Sequence, residues 1–292
     1  MQTLTRPEGS QPGDFHLSRR GVAAVFFAGY AAAAFSADAE PIHTDETGLI
    51  IESVTYPSSG FNLPAYIARP AAKGRHPTVL VASEIFGIHD YIKDTCRRLA
   101  KLGYVAIAPA FFVRVADPAP LSDIGAVIKI VRQASDSQIL GDVGATLAYL
   151  KSRPDVDFKR LAVTGFCWGG AVTWISCEEF AGFKAGVAWY GQMAPPADGG
   201  DPKRKWAIKG LGSLHAPVLG LYGAKDGLAE QVPAMRAALA AAGKTDSQII
   251  VYPDAQHGFH ADYRPSYNAA DAKDGWSRML AHFAAHGVGP KG

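Results

Sequence analysis

The sequence is poor in cysteine. Its 292 residues hold three, Cys96, Cys167 and Cys177. An odd count excludes full pairing into disulfides and leaves at least one free thiol. A large excess of charge of one sign is missing too. Lys and Arg number 29 against 27 Asp and Glu, a formal net charge of +2. No basic tract is interleaved with aromatics, so nothing argues for a nucleic-acid partner. There are nine histidines, but His43, His76, His89, His215, His282 and His286 lack partner spacing. No Cys or His spacing reads as a zinc site, and no metal or cofactor is expected. No internal repeat is present. What remains is ordinary for a globular protein, 48% apolar and 19% charged. The length suits one large α/β domain.

The N-terminus reads separately. Ser18-Arg19-Arg20 precedes an Ala-rich apolar run, Gly21 to Phe35, too short to span a membrane comfortably. Ala37-Asp38-Ala39 fits an A-x-A cleavage site. The paired arginines resemble a twin-arginine export signal, although Val22 and Ala23 stand where that signal prefers Phe and Leu. An ordinary secretory signal and an uncleaved anchor are the alternatives. The expectation is a signal over residues 1–39, one domain over 40–292, the export machinery as a partner, and a periplasmic location.

Beyond Glu40, apolar runs alternate with helical patterns. Leu49–Tyr56 and Leu63–Arg69 flank the turn Pro57-Ser58-Ser59-Gly60 and read as a hairpin. Strands are expected at Thr78–Ser83, Tyr104–Pro109, Arg160–Thr164, Lys184–Tyr190, Pro217–Gly223 and Ser247–Tyr252. Helices are expected at Ile92–Leu102, stopped by Gly103, and at Ser137–Arg153, Glu230–Ala242 and Asn268–His286. Gln192–Leu214, rich in Pro, Gly and Lys, reads as a long surface loop near a site mouth. Strands this continuously apolar, alternating with helices, imply a mostly parallel sheet covered on both faces. Ligands of such sheets bind beyond the carboxyl ends of the strands.

The chemistry is carried at those ends. Gly165-Phe166-Cys167-Trp168-Gly169-Gly170 joins a buried strand to a helix start. This is a nucleophile elbow with cysteine where serine usually stands. Any side chain at Gly165 or Gly169 would crowd the turn. Asp226 follows the strand ending at Gly223, and His257 follows the strand ending at Tyr252. Each alone has a plainer reading: a core cysteine, an Asp-Gly turn, a loop histidine. Together they stand in the order nucleophile, acid, base, each at a strand exit. Glu84 follows Thr78–Ser83 in Ser83-Glu84-Ile85-Phe86-Gly87, beside apolar neighbours that favour a partly buried carboxylate. The backbone N–H groups of Ile85 and Trp168 are the candidate oxyanion donors.

These motifs, with His257-Gly258-Phe259, resemble the dienelactone hydrolase family (carboxymethylenebutenolidase-like α/β-hydrolases) from about Glu46 to Phe283. The resemblance implies the α/β-hydrolase fold, a Cys167–His257–Asp226 triad, and a Glu84 that holds the resting thiol and helps activate it. Family members acting on dienelactone grip its carboxylate with two arginines. Arg114 and Arg264 are the candidates here, although neither sits in a cleanly matching motif. The run His257-Gly258-Phe259-His260-Ala261-Asp262 looks like an exported subgroup. The expected activity is cleavage of a small-molecule ester or lactone through a thioester acyl-enzyme. The alternatives are a non-catalytic binding protein on the same fold and a redox-sensing thiol, the latter weakened because no resolving cysteine is adjacent.

Overall fold

The computed structural model describes residues 41–196, 199–201 and 204–290. The signal expected over residues 1–39 lies outside them.

The chain opens with the hairpin, β1 (Leu49–Ser58) and β2 (Phe61–Pro70), paired antiparallel with Ser58 opposite Phe61. Its two-residue turn puts Ser59 and Gly60 at φ 49° and 74°. Two positive φ angles match the right-handed twist of the flanking strands. Then follow β3 (His76–Ala82), α1 (Asp90–Lys101), β4 (Val105–Pro109), α2 (Ile124–Val131), α3 (Asp136–Ser152) and β5 (Val156–Phe166). The second half holds α4 (Trp168–Glu179), β6 (Ala185–Trp189), α5 (Ala207–Gly210), β7 (Val218–Gly223), α6 (Val232–Ala241), β8 (Gln248–Tyr252) and α7 (Ala269–Ala285).

The strands form one eight-stranded sheet in the order β1-β2-β4-β3-β5-β6-β7-β8. β2 pairs antiparallel with β4, and β3 through β8 run parallel. Every residue of β4, β6 and β7 is buried, because helices cover both faces. This is the α/β-hydrolase fold. Its parallel strands bring Ser83, Phe166, Gly223 and Tyr252 to one edge, where the four candidate site loops begin.

Two segments differ from the sequence reading. Helix α2 was not anticipated; the Asp123 side chain caps it by accepting from the Gly125 N–H at 2.9 Å. Gln192–Leu214 is not a plain surface loop. Met193, Ala207, Leu211 and Leu214 are buried in the core, and the Gln231 side chain accepts from the N–H groups of Met193 and Ala194. Its few apolar residues face inward, which the Pro and Gly content hid.

Candidate active site

The elbow is built from absent side chains. Cys167 holds φ 56° and ψ −117°, a conformation that costs a non-glycine residue about 1–3 kcal/mol. A Cβ on Gly165 would lie 2.1 Å from the Gly169 carbonyl oxygen, and one on Gly169 would lie 2.1 Å from that of Ala82. Backbone thus packs on backbone where β3, β5 and α4 meet. Cys167 N–H donates to the Trp189 carbonyl at 3.0 Å, so β6 braces the turn. The thiol is 7% exposed, whereas Cys96 and Cys177 are fully buried and free.

Asp226 and His257 meet across the ends of β7 and β8. A Cβ on Gly223 would strike the Ala255 carbonyl at 2.3 Å, so glycine lets the histidine loop close on the aspartate turn. His257 Nδ1 lies 2.7 Å from Asp226 Oδ2. Asp226 Oδ1 accepts from the Leu228 N–H at 3.1 Å, which fixes the carboxylate plane. Burial would depress the imidazolium pKa. The Asp226 charge, its hydrogen bond and a hydrogen bond with Cys167 overcome that and lift it to about 9.

Glu84 is fully buried, but its oxygens do not hold the thiol. Oε1 accepts from Arg264 Nη2 at 2.9 Å, and Oε2 accepts from the Tyr263 hydroxyl at 2.5 Å. His89 Nε2 lies 3.4 Å from Oε2. This corrects the expected thiol–carboxylate contact in the resting site. Burial would raise the Glu84 pKa; Arg264, His89 and Tyr263 outweigh it and hold it at about 2. Arg264 therefore stands in the site wall with its fork turned to Glu84 and to the Tyr263 oxygen, 3.0 Å from Nε.

Arg114 is elsewhere. Its guanidinium donates to both oxygens of Asp142, at 2.5 and 2.6 Å, and to the Ser58 carbonyl at 2.9 Å. It ties the hairpin turn to α3, and its fork is filled there. The local signal was Asp142 itself, a charge on the buried face of α3 beside Ile139 and Val143.

The two candidate oxyanion donors share a corner. Trp168 is the first residue of α4, where N–H groups lack helical partners. A Cβ on Gly169 would also meet the Ser83 carbonyl at 2.6 Å. The helix start thus sits against the strand that leads into Ile85. Phe112 packs on the Trp168 ring at 4.7 Å.

Three side chains escaped the sequence reading. Tyr190 is fully buried at φ 40°, and its ring meets His257 edge-on at 4.9 Å. Tyr263 bonds Glu84, as described. His260 Nδ1 lies 2.7 Å from the Tyr91 hydroxyl, and burial holds its pKa down to about 3. Among the described residues, no cluster of His, Cys, Asp and Glu is arranged to hold a metal ion.

Residues 63–287 match the dienelactone hydrolase family. A putative carboxymethylenebutenolidase of Methylorubrum extorquens is 45% identical over 277 residues, 93% of this chain and 94% of that protein. One of Escherichia coli K12 is 44% identical over 263 residues, 89% of this chain and 96% of that protein. The crystal structure of a putative dienelactone hydrolase from Klebsiella pneumoniae is similar with a TM-score of 0.75 at 45% identity, over 81% of this chain and 98% of that one. With its site at the strand ends of an α/β-hydrolase sheet, this chain belongs to the dienelactone hydrolase family and is a hydrolase.

Proposed function

We propose that the chain cleaves an ester or lactone through Cys167, His257 and Asp226 by way of a thioester acyl-enzyme. The observation that carries this reading is the line from Asp226 Oδ2 to His257 Nδ1, 2.7 Å, with the same ring hydrogen-bonded to Cys167 on a strained elbow. His257 holds the proton drawn from the Cys167 thiol, and the sulfur attacks the carbonyl carbon. The carbonyl π electrons move to oxygen, where the N–H groups of Ile85 and Trp168 receive them. Collapse expels the alkoxide, which takes the proton back from the imidazolium. A lactone would leave its alcohol tethered to the acyl group. Water then attacks the thioester with its proton going to His257, and the thiolate leaves. Asp226 fixes the tautomer and stabilises the imidazolium throughout.

Arg264 and Glu84 give the site a further response. An anionic group on the substrate would compete with Glu84 for the guanidinium and release the carboxylate. A carboxylated lactone such as dienelactone, in keeping with the names of the relatives, would have this property. A panel of p-nitrophenyl esters and small lactones, with and without a carboxylate, assayed on wild type and Cys167→Ala, tests the reading. Hydrolysis that survives in Cys167→Ala sinks it.

The catalytic domain would be residues 40–292, delivered to the periplasm by a twin-arginine-type signal. Arg19-Arg20 ahead of the Ala-rich run supports this. Replacing both arginines with lysine should trap precursor in the cytoplasm. Unchanged export would favour the ordinary secretory route.

A further inference from the structure

One loop, residues 257–264, carries His257 at one end and the Glu84 partners Tyr263 and Arg264 at the other. Between them it is fastened twice to α1. His260 is held by Tyr91, as described. Asp262 is held by Arg98, whose Nη2 lies 2.5 Å from Asp262 Oδ2. Arg98 is shared, because its Nε donates to Asp94 Oδ2 at 2.5 Å. Asp94 in turn accepts from the Thr44 N–H at 2.6 Å and from Arg97 Nη2 at 3.0 Å. Arg97 Nε returns to the Thr44 carbonyl at 2.9 Å. Asp94, Arg97 and Asp262 are all buried. The network thus runs from the segment at Thr44, through α1, into the middle of the site loop.

We propose that Arg98 and Asp262 are positioning residues for the hydrolase, and that the strap at Thr44 completes their network. This rests on the reading of Cys167, His257 and Asp226 as the reacting groups. Arg98 bridges two buried carboxylates that would otherwise repel each other. Removing Arg98 leaves the buried Asp262 charge uncompensated, removing Asp262 cuts the tie between the loop and α1, and in both cases the nearest relief is for the loop to swing outward. That motion would shift His257 against Cys167 and Arg264 against Glu84 together. Arg98 cannot be replaced by lysine here, because a single ammonium lacks the planar fork that reaches both partners.

The test compares Arg98→Gln, Asp262→Asn and the double variant in the full chain. Each single change should lower kcat about tenfold to a hundredfold, as expected for small misplacements of reacting groups, with KM moving far less. The double variant should fall no further than the worse single, because both break one contact. Arg98→Lys should resemble Arg98→Gln. Hydrogen exchange should rise across residues 257–264. Arg153→Gln serves as the comparison. It breaks a second ion network, with Glu52 and Asp155, and should lower Tm without lowering kcat. If Arg98→Gln fails to fold, Thr44→Pro, which deletes the N–H donor to Asp94, carries the test with a smaller kcat loss expected. The proposal is overturned if folded Arg98→Gln or Thr44→Pro keeps kcat within about twofold of wild type, or if kcat merely tracks Tm as it falls in Arg153→Gln. Failure of the underlying reading looks different: Cys167→Ala would then retain turnover.

Discussion

Arg264 Nη2 stands 2.9 Å from Glu84 Oε1, with both side chains closed to solvent. The pair joins one positive and one negative charge in the buried site wall, and the Arg264 charge interacts with Cys167. Glu84→Gln removes the negative member and deprives Arg264 of that carboxylate. A nearby cation favours the thiolate. The variant should therefore alkylate faster with iodoacetamide at neutral pH, and it should lose stability because a buried arginine has lost its carboxylate. Ester turnover should fall. Alkylation rate against pH for the two proteins reads the effect, and superimposable profiles would make Glu84 electrostatically silent at the thiol.

Cys167→Ala should abolish ester hydrolysis while the protein unfolds near the wild-type temperature, since the elbow strain lies in the backbone. Cys96→Ala and Cys177→Ala should keep activity and lose about 1–3 kcal/mol of stability, as small core deletions do. Turnover and thermal unfolding of the three variants side by side separate chemistry from packing.

Asp226→Asn should fold and still lose turnover by a large factor. The amide cannot favour the imidazolium, and it presents an N–H where His257 Nδ1 needs an acceptor. Measured kcat within tenfold of wild type would point to another acid.

The Asp226–His257 pair also gives stability a pH dependence. The histidine pKa rises from 6.5 to about 9 on folding. A group raised on folding binds its proton more tightly in the native state. Its contribution is complete below about pH 6.5 and disappears as pH climbs through 9. Glu84 works in the opposite window: lowered from 4.5 to about 2, it stabilises above 4.5 and fades as pH falls toward 2. Wild type should therefore lose Tm between pH 6.5 and 9 more steeply than Asp226→Asn. Parallel curves would mean the histidine carries no charge in the resting fold.

Much of this arrangement was legible in the sequence. Cys167, Asp226 and His257 each follow a run of buried strand residues, and a parallel sheet delivers such positions to one edge. What stayed hidden depends on contacts between distant parts of the chain. Nothing near Glu84 announces Tyr263 or Arg264, which reach it only when the β8 loop folds back over β3. Tyr190 looks like the last residue of a buried strand, and its inward turn shows only in the backbone angles. Nothing near Arg114 in sequence announces its partner, because Asp142 lies a helix away. The Gln192–Leu214 segment was misjudged because composition reports polarity, not which few residues face inward.

The glycines of the elbow make the scaffold indifferent to the identity of the reacting atom. The tight approach of β3, β5 and α4 is specified by the missing side chains at positions 165 and 169. Positive φ at position 167 bars β-branched residues, but it tolerates an alcohol as readily as a thiol. Oxygen could thus be exchanged for sulfur at one position without redesigning the fold. The scaffold is a socket, and under the proposed function the nucleophile would be an interchangeable part, its reactivity left to Asp226, His257 and the Glu84–Arg264 pair.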